Sequence, residues 1–178
     1  TDDTEGEVIR QSDIRPSKDH IDRALAQFHG FIDQVPPDYS AIKIKGARAY
    51  DLARQAGAGQ PLQALQPREV RIDQFRILGS DQVEAHFFVR CGKGTYIRAL
   101  ARDLGRVLGS AAHVTSLRRL SVGQFHADHA ISLDFLEKLT HSAAALEYLH
   151  PVLSALDDIP ALPISRTEAQ QSSAMVKH

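Results

Sequence analysis

The chain of 178 residues holds a single cysteine, Cys91, which excludes an intramolecular disulfide framework and fits a reducing cytoplasm. No apolar run approaches the ~20 residues that a membrane-spanning helix needs. The opening TDDTEGEV is acidic and lacks the basic-then-apolar pattern of a signal peptide. There is no internal repeat. A net charge of −1 gives no overall bias towards nucleic acid, and 43% hydrophobic with 24% charged residues is ordinary globular usage.

The distribution of charge says more than its sum. Residues 90–119 carry Arg90, Lys93, Arg98, Arg102, Arg106, Arg118 and Arg119 against Asp103 alone, so this window is +6 and the remainder −7. Such a zone fits a phosphate-facing surface or a solvated helix face.

Local patterns predict a mixed α+β fold. Ser17 is placed to cap a helix with Ile21, Ala24, Leu25 and Phe28 on one face, ended by Gly30. FIDQV (31–35) reads as a short strand stopped by Pro36-Pro37. SAIKI (40–44), a Lys45-Gly46 turn and a helix over 47–55 follow, then a Gly/Pro/Gln-rich loop over 57–67. Val70, Ile72, Phe75 and Ile77 surround a change of phase. Val83, Ala85, Phe87, Val89 and Cys91 alternate cleanly, so Gly79-Ser80-Asp81 predicts an antiparallel hairpin. Cys91 reads as a small core residue.

After a Lys93-Gly94 turn, Thr95 is expected to cap a helix whose core face is Ile97, Leu100, Ala101, Leu104, Val107 and Leu108. Arg98, Arg102 and Arg106 form a separate basic stripe on it. HVTSL (113–117), a second strand near SVGQF (121–125) and a Ser132-capped helix with Leu133, Leu136 and Leu139 complete the compact part, residues 1–150. Residues 151–178, with Pro160 and Pro163, read as a linker or the start of another module.

Familiar chemistries find no support. GKGT (92–95) lacks the first glycine and the Ser/Thr of a phosphate loop, and GAG (57–59) lacks the third glycine of a dinucleotide fingerprint. His126, Asp128 and His129 cluster, but no second group completes a zinc-type ligand set. No G-x-S-x-G elbow is present.

Three blocks carry a resemblance: QVPPDYSAIKIKGARAYDLARQAG (34–57), VRCGKGTYIRALARDLGRVLG (89–109) and AAHVTSLRRLSVGQF (111–125). In order and separation they resemble the TruB family of pseudouridine synthases, in its bacterial form, and the similarity runs from Thr1 to about Pro163. The resemblance implies part of the pseudouridine synthase catalytic domain, with a mostly antiparallel sheet and flanking helices. The implied activity is conversion of a T-loop uridine of tRNA to pseudouridine. It implies no metal and no organic cofactor, no membrane, the tRNA T-arm as partner, and a monomer in the intact enzyme. In such a reaction an aspartate drives cleavage of the glycosidic bond, the base turns, and it reattaches through carbon. The base leaves its stack first.

Carried onto the matching positions, the resemblance makes Tyr96 the tyrosine beside the flipped base and Arg98 the arginine that pairs with the nucleophilic aspartate. Read without it, Tyr96 is a core tyrosine at a helix start and Arg98 one member of the basic stripe. Leu117 matches a leucine lining the base pocket; its plainer reading is strand core. Arg118, Arg119 and Lys93 stand where RNA contacts are expected, as do Lys43, Lys45 and Arg48 around a glycine turn that is equally readable as solvated. Asp103 reads as a salt-bridge or packing residue. The family's G-x-L-D-P-x-A-x-G block, which holds the nucleophile, is expected upstream of TDDTEG. A C-terminal RNA-gripping PUA module is expected beyond LPISRTEAQQ. A non-catalytic tRNA-binding or RNA-folding module remains as the alternative.

Overall fold

The computed structural model describes residues 2–57, 62, 65–139, 143–156 and 165. They fall into two compact units, Thr1–Leu117 and Arg118–His178.

In the first unit the Ser17 hydroxyl accepts the His20 amide and starts helix α1 (Lys18–Leu25), which buries Ile21, Ala24 and Leu25. A 3₁₀ turn over Ala26–Phe28 buries Phe28, and Gly30, at φ 81°, sends the chain into strand β1 (Gly30–Gln34). Strands β2 (Lys43–Ile44) and β3 (Ala47–Arg48) form a tight hairpin. Lys45 and Gly46 between them both take positive φ, 49° and 92°, the pair of left-handed residues that a two-residue hairpin turn requires. Helix α2 (Ala49–Ala56) follows directly and buries Ala49 and Ala53. Much of the loop expected over 57–67 lies outside the described residues. Within it, the Leu62 amide donates to Asp38, and Leu65 is buried.

Strand β4 (Arg68–Ser80) is central in a three-stranded sheet, antiparallel to β1 on one side and to β5 (Ala85–Cys91) on the other. Its register slips between Ile72 and Gln74 and again between Ile77 and Gly79. The first slip is the phase change visible in the sequence: it keeps both Ile72 and Phe75 on the core face. Helix α3 (Ile97–Val107) and α1 bury their apolar stripes together with that face. Ile21, Leu25, Phe28, Val70, Ile72, Phe75, Leu100 and Leu104 make the centre, each large side chain contributing roughly 1.5–3 kcal/mol. Phe75 meets Phe28 edge-on at 5.9 Å, and the tilted ring of Phe87 at 5.3 Å. Cys91 packs against this cluster.

Several expectations need correction. Val83 is 87% exposed because it sits in the hairpin turn, where Asp81 rather than an apolar contact orders the chain. Val107 is exposed; the helix instead buries Ala99 and Gly105, small residues that let the backbone come close to its neighbours. A Cβ on Gly105 would stand 2.7 Å from the Ala112 amide nitrogen. HVTSL forms no strand; Val114 alone makes a bridge, parallel, to Asp3.

The second unit opens with a hairpin where a single strand was expected: β6 (Ser121–Val122) and β7 (Phe125–His126) turn at Gly123, φ 56°. Helix α4 (Leu133–Lys138) has the expected cap, Ser132 accepting the Phe135 amide. Its leucines 133 and 136 are nonetheless exposed, and Phe135 meets Tyr148 edge-on at 5.4 Å. Val152–Leu156 is a 3₁₀ turn. Of the expected linker, residues 157–164 and 166–178 lie outside the described residues. Among the described residues no helix is long and apolar enough to cross a membrane.

Candidate active site

The entrance to α3 is built from a turn outward. The Gly92 amide donates to the Arg71 carbonyl at 2.8 Å, and Gly94, at φ 83°, reverses the chain after exposed Lys93. The Thr95 hydroxyl donates back to the Gly92 carbonyl at 2.9 Å, so it closes this turn and does not cap the helix. The cap position falls to Tyr96, still extended at φ −101° and ψ 109°, with no side-chain capping bond. Two backbone groups of Tyr96 are met by one side chain. The Tyr96 amide donates to Gln34 Oε1 at 2.8 Å, and Gln34 Nε2 donates to the Tyr96 carbonyl at 3.2 Å.

One turn into the helix the arginine stripe is paired with carboxylates. Arg98 Nη1 donates to Asp3 Oδ2 at 3.0 Å and Nη2 to the Tyr39 carbonyl at 2.9 Å. Arg102 reaches Asp2 at 3.2 Å, Asp103 at 2.9 Å and the Val35 carbonyl at 2.7 Å. Burial alone would lower the Arg102 pKa, but the hydrogen bond and charge of Asp103, with those of Asp2, outweigh it and raise the pKa above the ordinary value. Arg106 is also bound to Asp103, at 3.1 Å. The expectation of an open basic stripe, facing phosphate or solvent, is therefore replaced by an ion-paired face that ties residues 2–3 and 35–39 to α3.

The remaining candidates are spread out. Lys43 and Arg48 are cross-strand partners on the β2–β3 hairpin, with side chains on the same side, and Lys45 stands in its turn; all three are exposed. The Arg48 guanidinium lies 6.0 Å from the centre of the Tyr50 ring. Beside this hairpin is an open depression of about 130 Å³, lined by Ile42, Lys43, Ile44, Leu65, Gln66 and Arg68. Leu117, expected in its plainer reading as strand core, is 58% exposed in an irregular segment. Arg118 and Arg119 are exposed and belong to the second unit. Among the described residues no group of three or more His, Cys, Asp or Glu gathers as a metal site.

Residues 1–97 match the family described as TruB family pseudouridylate synthase (N terminal domain), and residues 98–159 match the tRNA pseudouridylate synthase B C-terminal domain. The chain belongs to the TruB family. The junction of the two matched stretches falls inside α3, between Tyr96 and Arg98. Curated relatives named tRNA pseudouridine synthase B include that of Rhodospirillum rubrum, 47% identical over 174 residues, covering 97% of this chain and 55% of the relative. That of Bradyrhizobium diazoefficiens is 49% identical, covering 95% and 50%. The chain thus spans about half the length of the curated relatives it matches. A solved structure titled "Crystal Structure of a Cbf5-Nop10-Gar1 Complex" shares the fold, with a TM-score of 0.61, 24% identity, and coverage of 84% of this chain and 41% of that one.

Sequence reasoning passed over Gln34, Asp2 and Asp3. Gln34 left a signal: it shares the inward face of β1 with Ile32, a polar residue in a slot otherwise apolar. Asp2 and Asp3 left none, because their partners lie about a hundred residues away.

Proposed function

We propose that this chain is part of the catalytic domain of a tRNA pseudouridine synthase that isomerises a T-loop uridine. Residues 1–150 form the C-terminal portion of that domain and 151–178 lead towards an RNA-gripping module. The observation that carries the reading is the start of α3, where Tyr96 and Arg98 are fixed two residues apart in a TruB-family chain. The ring of Tyr96 packs beside the extruded uracil, and its phenol is available to handle a proton. Arg98, pre-oriented by Asp3 and the Tyr39 carbonyl, holds the nucleophilic carboxylate ionised. No residue of this chain is assigned as that nucleophile. Leu117 presents apolar surface to the base pocket. Lys43, Lys45, Arg48, Lys93, Arg118 and Arg119 meet phosphates of the T-arm. The reaction needs no metal or organic cofactor, and the enzyme acts as a cytoplasmic monomer.

The test places this chain in the frame of the Rhodospirillum rubrum relative, replacing its matched residues, and measures tritium release from an unmodified tRNA transcript. Turnover by this chimera and none by the chain alone is the expected result. A folded chimera that binds tRNA without releasing tritium would favour the non-catalytic reading. Turnover by the chain alone would overturn the placement of the nucleophile outside it.

A further inference from the structure

Gln34 is 2% exposed, and its carboxamide is given over to Tyr96. In an antiparallel ladder a residue exchanges its N–H and C=O with one partner residue. Here a side-chain amide takes the partner's place: Oε1 accepts from the Tyr96 N–H and Nε2 donates to the Tyr96 carbonyl, which also accepts the first helical bond from the Leu100 amide at 3.1 Å. Tyr96 is thus held extended at the last position before the helix, and the direction in which its side chain leaves the backbone is set with it.

The residues after Gln34 repeat the contact along α3. The Val35 carbonyl takes Arg102, the Tyr39 carbonyl takes Arg98, and Pro36-Pro37 between them bring no N–H that would need a partner. Pro37 is fully buried. Through these hydrogen bonds the strap 34–39 meets α3 at Tyr96, Arg98 and Arg102, and among them those of Gln34 come from a side chain that substitution can remove without touching the backbone.

We propose that Gln34 is a positioning residue for the isomerisation, acting on the uracil through Tyr96. This rests on the reading of Tyr96 as the residue beside the base. A merely structural glutamine would lower global stability when removed but leave the chemical step of the folded protein unchanged.

Two measurements separate these. In the chain itself, hydrogen exchange of the Tyr96 amide is compared before and after Gln34→Ala, with the β4 amides as internal control. In the Rhodospirillum rubrum chimera, the single-turnover rate and tRNA affinity are compared for Gln34→Ala and Gln34→Glu. Faster exchange at Tyr96 with β4 unchanged is expected, together with a rate lowered roughly 10- to 100-fold at unaltered affinity, the scale of a displaced catalytic group. Glutamate keeps the acceptor for the Tyr96 N–H but lacks the donor for its carbonyl until protonated. Its rate relative to the unsubstituted chimera should therefore recover as pH falls, and this variant carries the test if alanine prevents folding.

Unchanged exchange at Tyr96, or faster exchange with an unchanged rate, would overturn the proposal. If the unsubstituted chimera makes no pseudouridine, the functional reading falls instead, while the exchange data still decide whether Gln34 holds Tyr96.

Discussion

Arg98 and Asp3 lie 95 positions apart in sequence and 3.0 Å apart in the fold, each side chain about a quarter exposed. With the Tyr39 carbonyl on its second nitrogen, the guanidinium is oriented from two sides. Arg98→Ala removes a charge-assisted partner from both acceptors. After discounting for solvent, the expected loss is about 1–2 kcal/mol in urea unfolding of this chain. In the chimera, single-turnover pseudouridine formation should fall at least ~100-fold, the usual scale for losing a preorganised charged donor. Arg98→Lys should recover little, since a compact ammonium does not reproduce the planar fork.

Gly105→Ala tests the close approach of α3 to residues 111–112. Alanine gains about 1 kcal/mol of helix propensity over glycine. The 2.7 Å approach to the Ala112 backbone nitrogen involves no flexible side chain that can swing away. Overpacking of this kind costs ~1–3 kcal/mol, so the net change should be destabilising. A higher thermal midpoint for Gly105→Ala would contradict the packing described.

Asp81 gives the β4–β5 turn a pH dependence. Its carboxylate accepts the Glu84 and Val83 amides, each at 2.7 Å, and these bonds hold its pKa below the ordinary value. A depressed folded pKa means that the contribution is present above the unfolded value and is lost as pH falls through the folded one. Asp81→Asn should therefore remove part of the acid limb of a stability–pH profile and leave the neutral region nearly level. An unaltered acid limb would show that the turn is ordered by other groups.

Lys43 and Arg48 share one side of the β2–β3 hairpin. If they meet phosphates, replacing both with alanine should weaken tRNA binding and shallow its salt dependence by roughly 0.7–0.9 in log–log slope for each phosphate no longer neutralised. The single-turnover rate at saturating tRNA should stay the same. A reduced rate with unaltered salt slope would move these residues from RNA binding to another role.

What was legible in the sequence followed from local rules. The Ser17 cap, the phase change before Phe75 and the Lys45-Gly46 turn each depend on residues within a few positions, where sterics and capping leave few choices. The KGTYIR run pointed to Tyr96 and Arg98 through family resemblance, since neither spacing nor charge distinguishes them from a core tyrosine and a surface arginine. The partners were hidden for a physical reason. Asp3, Tyr39 and Gln34 reach α3 through tertiary folding over 59 to 95 positions, and no periodicity encodes such distances. Thr95 misled because two acceptor and donor roles compete at a helix start, and the Gly92 carbonyl took its hydroxyl. The leucines of α4 carried helical spacing without a buried face to fill.

Whether this chain supplies the wall of a uridine-isomerising site at the start of α3 is tested most directly by mapping pseudouridine in an unmodified tRNA transcript. The modified base is read through carbodiimide-dependent stops in reverse transcription after incubation with the chimera. A single stop at the T-loop uridine, absent with Arg98→Ala, is the expected result. No stop from a folded, tRNA-binding chimera, or a stop that survives Arg98→Ala unchanged, would contradict that placement.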